Sequence, residues 1–205
     1  MNWLMRLAAA LFLGSMAAPA LSQMGMDGER FLDHLRKGEN GPALTLLQSN
    51  PIILDATDSK GETALLVSVK KRDPAWTAHL LREGANPNIA ARDGETPLIA
   101  AARNGFTEAV RWLLAAGSKV DSANRRGETP LIVAVQERHV GLVKLLLAAG
   151  ADPDRADAAA GYSARDYAKR ESRFPDLLAA IESTKQDAKP ASKPASDKLD
   201  DFKLN

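Results

Sequence analysis

The tripeptide Gly-Glu-Thr begins at Gly61, again at Gly94 and again at Gly127, so the middle of this chain repeats itself every 33 residues. A fixed period of that length marks a protein assembled from copies of one small unit, and no such unit can bury its apolar side without a neighbour. The period cuts the chain into segments 58–90, 91–123 and 124–156. Packing is left to hold them together. The 205 residues are 45% hydrophobic and include no cysteine, which removes disulfides, thiolate nucleophiles, zinc ribbons and iron–sulfur ligation.

Each unit carries the punctuation of two short helices. The glycine of Gly-Glu-Thr suits a turn that needs positive φ, and the threonine after it is a natural N-cap. Pro97 and Pro130 then occupy the first helical position, where a missing N–H costs nothing. A first helix of about eight residues follows. Gly105 ends it in the left-handed conformation, and Arg72 and Arg138, at the matching position, are expected to adopt that conformation too. Asp73-Pro74 and Thr107-Glu108 restart a second helix, in which Val110, Leu113 and Leu114 match Val143, Leu146 and Leu147 as an apolar stripe. Gly84, Gly117 and Gly150 close it, and the polar loops Asn86-Pro87-Asn88 and Asp152-Pro153-Asp154 follow.

These segments resemble ankyrin repeats. The residues that carry the resemblance are Thr-Pro-Leu at 96–98 and 129–131, the Leu-Leu pairs, and Gly-Ala-Asp-Pro-Asp at 150–154. The resemblance covers roughly residues 28–184. It implies an all-α repeat fold, an ankyrin solenoid of stacked helix-turn-helix units with short turn loops. Three clear repeats would lie between a divergent N-terminal repeat at 28–57 and a C-terminal cap at 157–184. The sequence departs from the family where a histidine usually follows Thr-Pro-Leu: Leu66, Ile99 and Ile132 stand there, so apolar packing is expected to replace that histidine's hydrogen bonds. Ala64 stands where proline is usual, and Ser118-Lys119 where Ala-Asp is usual.

The two ends read differently. Residues 1–6 carry one positive side chain and no acid, residues 7–13 are apolar, and Ala20-Leu21-Ser22 offers a small-x-small cleavage pattern before Gln23. Residues 1–22 are therefore expected to be a bacterial-type export signal, giving a periplasmic or secreted protein. The apolar run is shorter than the roughly 20 residues that span a bilayer, so no stable membrane insertion is expected after cleavage. Losing Arg6 leaves 26 basic against 26 acidic residues, a neutral chain with no bulk attraction for nucleic acid. The tail at 185–205, with Lys-Pro-Ala-Ser twice in loose form, is expected to be disordered.

Candidate chemistry is sparse. His34, His79 and His139 lie in three different repeats at different repeat positions, and no nucleophile with a base is visible. Asp152, Asp154 and Asp157 fit loop turns better than a calcium loop, and no phosphate-cradling glycine motif occurs. No catalytic residue, cofactor or metal is therefore expected, and Trp76 and Trp112 read as core. The family resemblance implies partner binding through the turn tips and the exposed end of each first helix. By alignment those positions are Ser59, Lys60, Glu62, Lys70 and Lys71; Arg92, Asp93, Glu95, Arg103 and Asn104; and Arg125, Arg126, Glu128, Gln136 and Glu137. Lys60, Arg92 and Arg125 are expected to form one column, with Lys70 and Lys71 near Arg103, as a basic ridge flanked by glutamates. The expected function is a monomeric, non-catalytic protein-binding module of the cell envelope with an unidentified protein partner. Alternatives are an envelope enzyme or metal-binding protein with an unrecognised site, or an effector delivered to a host.

Overall fold

The computed structural model describes residues 17–183, with side chains described from Met26. The expected core of the export signal at 7–13 and the tail at 185–205 lie outside the described residues. Ten α-helices and one 3-10 turn follow in order: α1 Ala17–Lys37, α2 Asn40–Ser49, the turn Pro51–Asp55, α3 Ala64–Lys70, α4 Pro74–Arg82, α5 Pro97–Arg103, α6 Thr107–Ala115, α7 Pro130–Gln136, α8 Val140–Ala148, α9 Ala164–Arg170 and α10 Pro175–Ser183. There is no strand among the described residues. First helices pack on first helices, α1 on α3, α3 on α5, α5 on α7 and α7 on α9, and the second helices α4, α6, α8 and α10 form the layer behind them. This is the ankyrin-type solenoid.

Local chemistry sets each helix in place. Thr63, Thr96 and Thr129 hold extended φ/ψ and accept, through their hydroxyls, the amides of Leu66, Ile99 and Ile132, each at 3.2 Å. Ser163 does the same for Asp166, whose carboxylate accepts the Ser163 amide in return and completes a capping box. In the second helices only Asp73 caps in this way, accepting the Trp76 amide. Thr107 is already helical, and Phe106 stands at its N-cap without a side-chain bond, because the apolar ring is needed against Trp112.

Each first helix ends on a left-handed residue. Gly105 has φ +64°, while Arg72 and Arg138 adopt +53° and +60° despite their side chains. The strain at a non-glycine residue is offset by contact with the next repeat: the Arg72 guanidinium lies 5.9 Å from the Phe106 ring centroid and that of Arg138 5.1 Å from Phe174. Arg138 also donates to Glu171. At Gly105 the His139 imidazole takes up the space, 2.8 Å from where a Cβ would stand.

The interior runs unbroken through the stack. Leu66, Ile99 and Ile132, standing where the family usually has histidine, are fully buried, as are Leu65, Leu98 and Leu131 beside them. Trp76 is buried edge-on against Phe31, and its indole N–H donates to the Asn40 side chain at 2.8 Å. The N-terminal unit differs from the short pairs of the repeats that follow: α1 runs 21 residues and passes the expected processing point before Gln23, and α2 runs from Asn40 to Ser49.

One position in this interior is ill-matched. Ser118 stands where the neighbouring repeats have the buried residues Ala85 and Ala151, and its hydroxyl is buried with no hydrogen-bond partner. All three amides make the same bond, to Leu113, Leu80 and Leu146 respectively. The Ser118→Ala variant keeps that bond and removes the orphaned hydroxyl, so a gain of about 1 kcal/mol is expected. Urea unfolding checks this, and a lowered midpoint would show that the hydroxyl has a role.

Candidate protein-binding face

Three parallel sets of contacts tie each repeat to the next. At the tips, the Arg92 amide donates to the Lys60 carbonyl at 2.8 Å, Arg125 to Asp93 at 3.0 Å and Ala158 to Arg126 at 2.9 Å. At the opposite loops, side chains of Asp55, Asn88 and Asp121 accept the amides of Asn86, Lys119 and Asp152. Between these two sets runs a chain of ion pairs.

That chain alternates in sign from repeat to repeat. Arg36 donates to Asp58 and Glu62; Glu62 also takes Lys70 at 2.8 Å; Lys70 reaches on to Glu95 at 2.8 Å; Glu95 takes Arg103 at 3.2 Å; Arg103 faces Glu128 at 3.6 Å; and Glu128 takes Arg126 at 2.8 Å. Glu62 and Glu95 thus each bridge the cation eight residues ahead in their own repeat and a cation of the preceding one, while Glu128, with Gln136 eight residues ahead, takes Arg126 of its own tip instead. Beyond Glu128 the series changes chemistry. Tyr162 stands at the next glutamate position, and the Arg170 guanidinium lies 4.4 Å over its ring, a cation–π contact in place of an ion pair.

Burial and charge compete around Arg36, Asp58, Glu62 and Lys70, and there charge wins. Burial would raise the Glu62 pKa, but hydrogen bonds and attraction from Lys70 and Arg36 hold it below its ordinary value. Burial would likewise lower Lys70, yet Glu62 and Glu95 keep it raised. Asp58, desolvated but accepting the amides of Glu62 and Lys60 and the Arg36 guanidinium, is also lowered. At the cap, burial of Asp157 is outweighed by the Tyr167 hydroxyl at 2.6 Å and the amides of residues 159–161.

The sign of the pH dependence follows. Carboxylates with depressed folded-state pKa bind fewer protons than in the unfolded chain, so their contribution is present above about pH 4–5 and is lost as pH falls through their folded values. Lys70 is raised, so its contribution is lost only as pH rises past 10.5, its ordinary value. His79, its pKa lowered by burial against Trp76, adds a shallow decline below its ordinary 6.5. The melting temperature is therefore expected to be flat from about pH 7 to 10 and to drop steeply below about pH 4, with Glu62→Gln flattening the acid limb. Melts followed by circular dichroism check this; a constant midpoint down to pH 2 would contradict it.

The expected partner-binding positions fall into three groups. Glu62, Lys70, Glu95, Arg103, Arg126 and Glu128 are engaged in the ladder, so Lys70 and Arg103 meet through Glu95 and are not a free basic surface. Lys71 donates its ammonium to the carbonyls of Leu35 and Arg36, and Asn104 donates its amide to those of Val69 and Lys70, so both cap the preceding repeat's first helix. Glu137, at the same position, is an exposed acceptor and cannot do this; Gln136 hydrogen-bonds the Tyr167 hydroxyl. Asp93 folds back on the Glu95 amide. The third group is Ser59, Lys60, Arg92 and Arg125. All four are exposed, and the three cations have no ion-pair partner among the described residues.

The other candidate residues are absorbed by the fold. Asp152 accepts the Asp154 amide, and Asp154 with Glu182 holds the buried Arg165 that fastens the last helix pair. His34 pairs with Glu39, His79 sits against Trp76, and His139 lies over Gly105.

Residues 65–157 match the family model for ankyrin repeats, in three copies. The chain carries ankyrin repeats. No curated protein matches it. Ankyrin repeats generally mediate protein–protein interaction, and domains built from them are typically non-catalytic. No helix among the described residues is long and apolar enough to cross a membrane.

Proposed function

We propose that this chain is an exported, monomeric, non-catalytic docking module of a bacterial cell envelope that binds a protein partner across its repeat tips. Residues 1–22 would direct export, residues 28–184 form the binding domain and residues 185–205 trail from it. The observation that carries the reading is the contrast along one face: the inner charges satisfy one another, while Lys60, Arg92 and Arg125 stand exposed on tips already locked by backbone hydrogen bonds. A surface fixed before binding loses little conformational freedom when a partner arrives, and unpaired charge on it steers encounter and register.

The test is affinity capture from an envelope fraction. The wild-type chain is expected to retain a protein partner, and Arg92→Glu with Arg125→Glu to lose it while helical content and melting stay unchanged. Retention by the double variant would reject the assigned face, and capture of nothing by the wild type would reject the docking role.

A further inference from the structure

In a stack where each repeat touches only its neighbours, stiffness is set by the weakest junction. First helices begin at the tips, so their last residues lie at the opposite end, where the chain turns into the second helix. That end is tied across the other junctions by three devices. Lys71 donates its ammonium to the carbonyls of Leu35 and Arg36, and Asn104 its amide to those of Val69 and Lys70. Arg72 lies over Phe106 of the following repeat, and Arg138 over Phe174 with a further bond to Glu171. Lys70 joins Glu62 to Glu95 at 2.8 Å on both sides.

The junction between repeats 91–123 and 124–156 lacks the first two and stretches the third. Glu137 stands where Lys71 and Asn104 stand, so the equivalent carbonyls, those of Ala102 and Arg103, meet a carboxylate position instead of a donor. Negative charge at the end of a helix is also unfavourable in itself. Gly105 stands where Arg72 and Arg138 stand and has no guanidinium to offer, and the His139 ring lies over it. Arg103 reaches Glu128 at 3.6 Å, the longest pair of the ladder. No hydrogen bond or ion pair joins residues 104–106 to residues 137–139 among the described residues.

Helix packing follows the same division. α5 and α7 make the most extensive contact of the first-helix layer, with Ala100, Ala101 and Ala102 all buried. Behind them α6 meets α8 over a shorter stretch than α4 meets α6 or α8 meets α10. The tip and the loop of this junction still hold, through the Arg125 amide to the Asp93 carbonyl, the Asp152 amide to the Asp121 side chain, and Arg155 to the Asp121 carbonyl at 2.9 Å. One corner of the junction is therefore loose while the other three are fastened.

We propose that this corner is a hinge, and that the stack flexes as two bodies, residues 28–123 and 124–183, about the α5–α7 contact. A hinge needs only a few yielding residues between bodies that are each held rigid. Here the yielding part is the pair of turns 104–106 and 137–139, and the bodies are held by the ties described above. The hinge stands whether or not the tips dock a partner. If they do, the face from Arg92 to Arg125 stays continuous while the second-helix layer behind it opens and closes, which fits the curvature of the stack to the partner.

The test uses the full chain, which has no cysteine of its own, with pairs of introduced cysteines carrying nitroxide labels. Glu108→Cys with Gly141→Cys spans the loose corner, and Ala75→Cys with Glu108→Cys spans the equivalent corner one repeat earlier. Glu108 and Gly141 are exposed, and a Cβ at Gly141 meets nothing within 4 Å. By electron paramagnetic resonance the first pair is expected to give the wider spread of distances. Glu137→Lys is expected to narrow that spread by supplying the missing donor, and Asn104→Glu to widen the spread of the Ala75 and Glu108 pair. Hydrogen exchange in urea below the global midpoint is the second readout. Residues 124–183 are expected to lose protection as a block while 28–123 keep theirs, and Glu137→Lys to slow that loss roughly two- to fivefold. Equal spreads for the two label pairs, a spread indifferent to Glu137→Lys, or joint loss of protection on both sides of the junction would overturn the hinge.

Discussion

Gly127→Ala is expected to destabilise the protein by about 3 kcal/mol or more, an unusually large effect for adding one methyl group at a surface turn. Gly127 has φ +77°, and a Cβ there would stand 2.3 Å from the Ala158 backbone nitrogen of the next tip. The left-handed conformation alone costs an alanine about 1–2 kcal/mol. Relieving the overlap must also push the tips apart and break the bond from the Ala158 amide to the Arg126 carbonyl, worth about 1 kcal/mol more. Gly150→Ala is the control: its φ is +89° but nothing lies within 4 Å of a Cβ, so it incurs only the conformational term. Chemical unfolding of both variants checks the difference. Equal losses would show that the tips are not in close contact.

Ile132→Ala is expected to cost about 3 kcal/mol, within the 2–5 found when a fully buried Ile is truncated. Ile132 has no exposed surface and sits on α7, which packs against first helices on both sides, α5 and α9. The cavity would open between units, so the loss should appear as weakened coupling between repeats as well as a lower midpoint. A denaturation curve that becomes broader or biphasic in the variant supports this; a loss under 1 kcal/mol would mean that the repeats repack around the gap.

The repeat logic was legible from the amino acids alone because its signals are local. Thr63, Thr96, Thr129 and Ser163 cap, Pro97 and Pro130 begin helices, and Arg72 and Arg138 adopt the left-handed turn that their alignment with Gly105 requires. Trp76 and Trp112 are core residues, as their places on second helices suggest. What escaped the sequence reading depends on contacts between repeats. Glu62, Glu95 and Glu128 looked like flanking surface charges, yet each joins two repeats. The spacing of eight from Glu62 to Lys70 and from Glu95 to Arg103 was visible, but it becomes an ion pair only when the tip folds back over its helix. The replacement of that pair by Tyr162 under Arg170 was hidden for the same reason, since one inserted residue shifts the alignment. Thr107 resembled a cap by type, but packing of Phe106 on Trp112 moved the helix start forward. Of the expected contact positions, the sequence could not separate those spent on the stack, such as Lys71 and Asn104, from the outer row left free.

The most direct measurement of the account is lysine crosslinking in intact cells expressing the full chain, followed by mass spectrometry. A docking module that uses its tips should yield partner crosslinks from exposed Lys60, with none from the exposed Lys119 and Lys144 on the far loop and second helix. Partner crosslinks confined to Lys119 and Lys144 would contradict it.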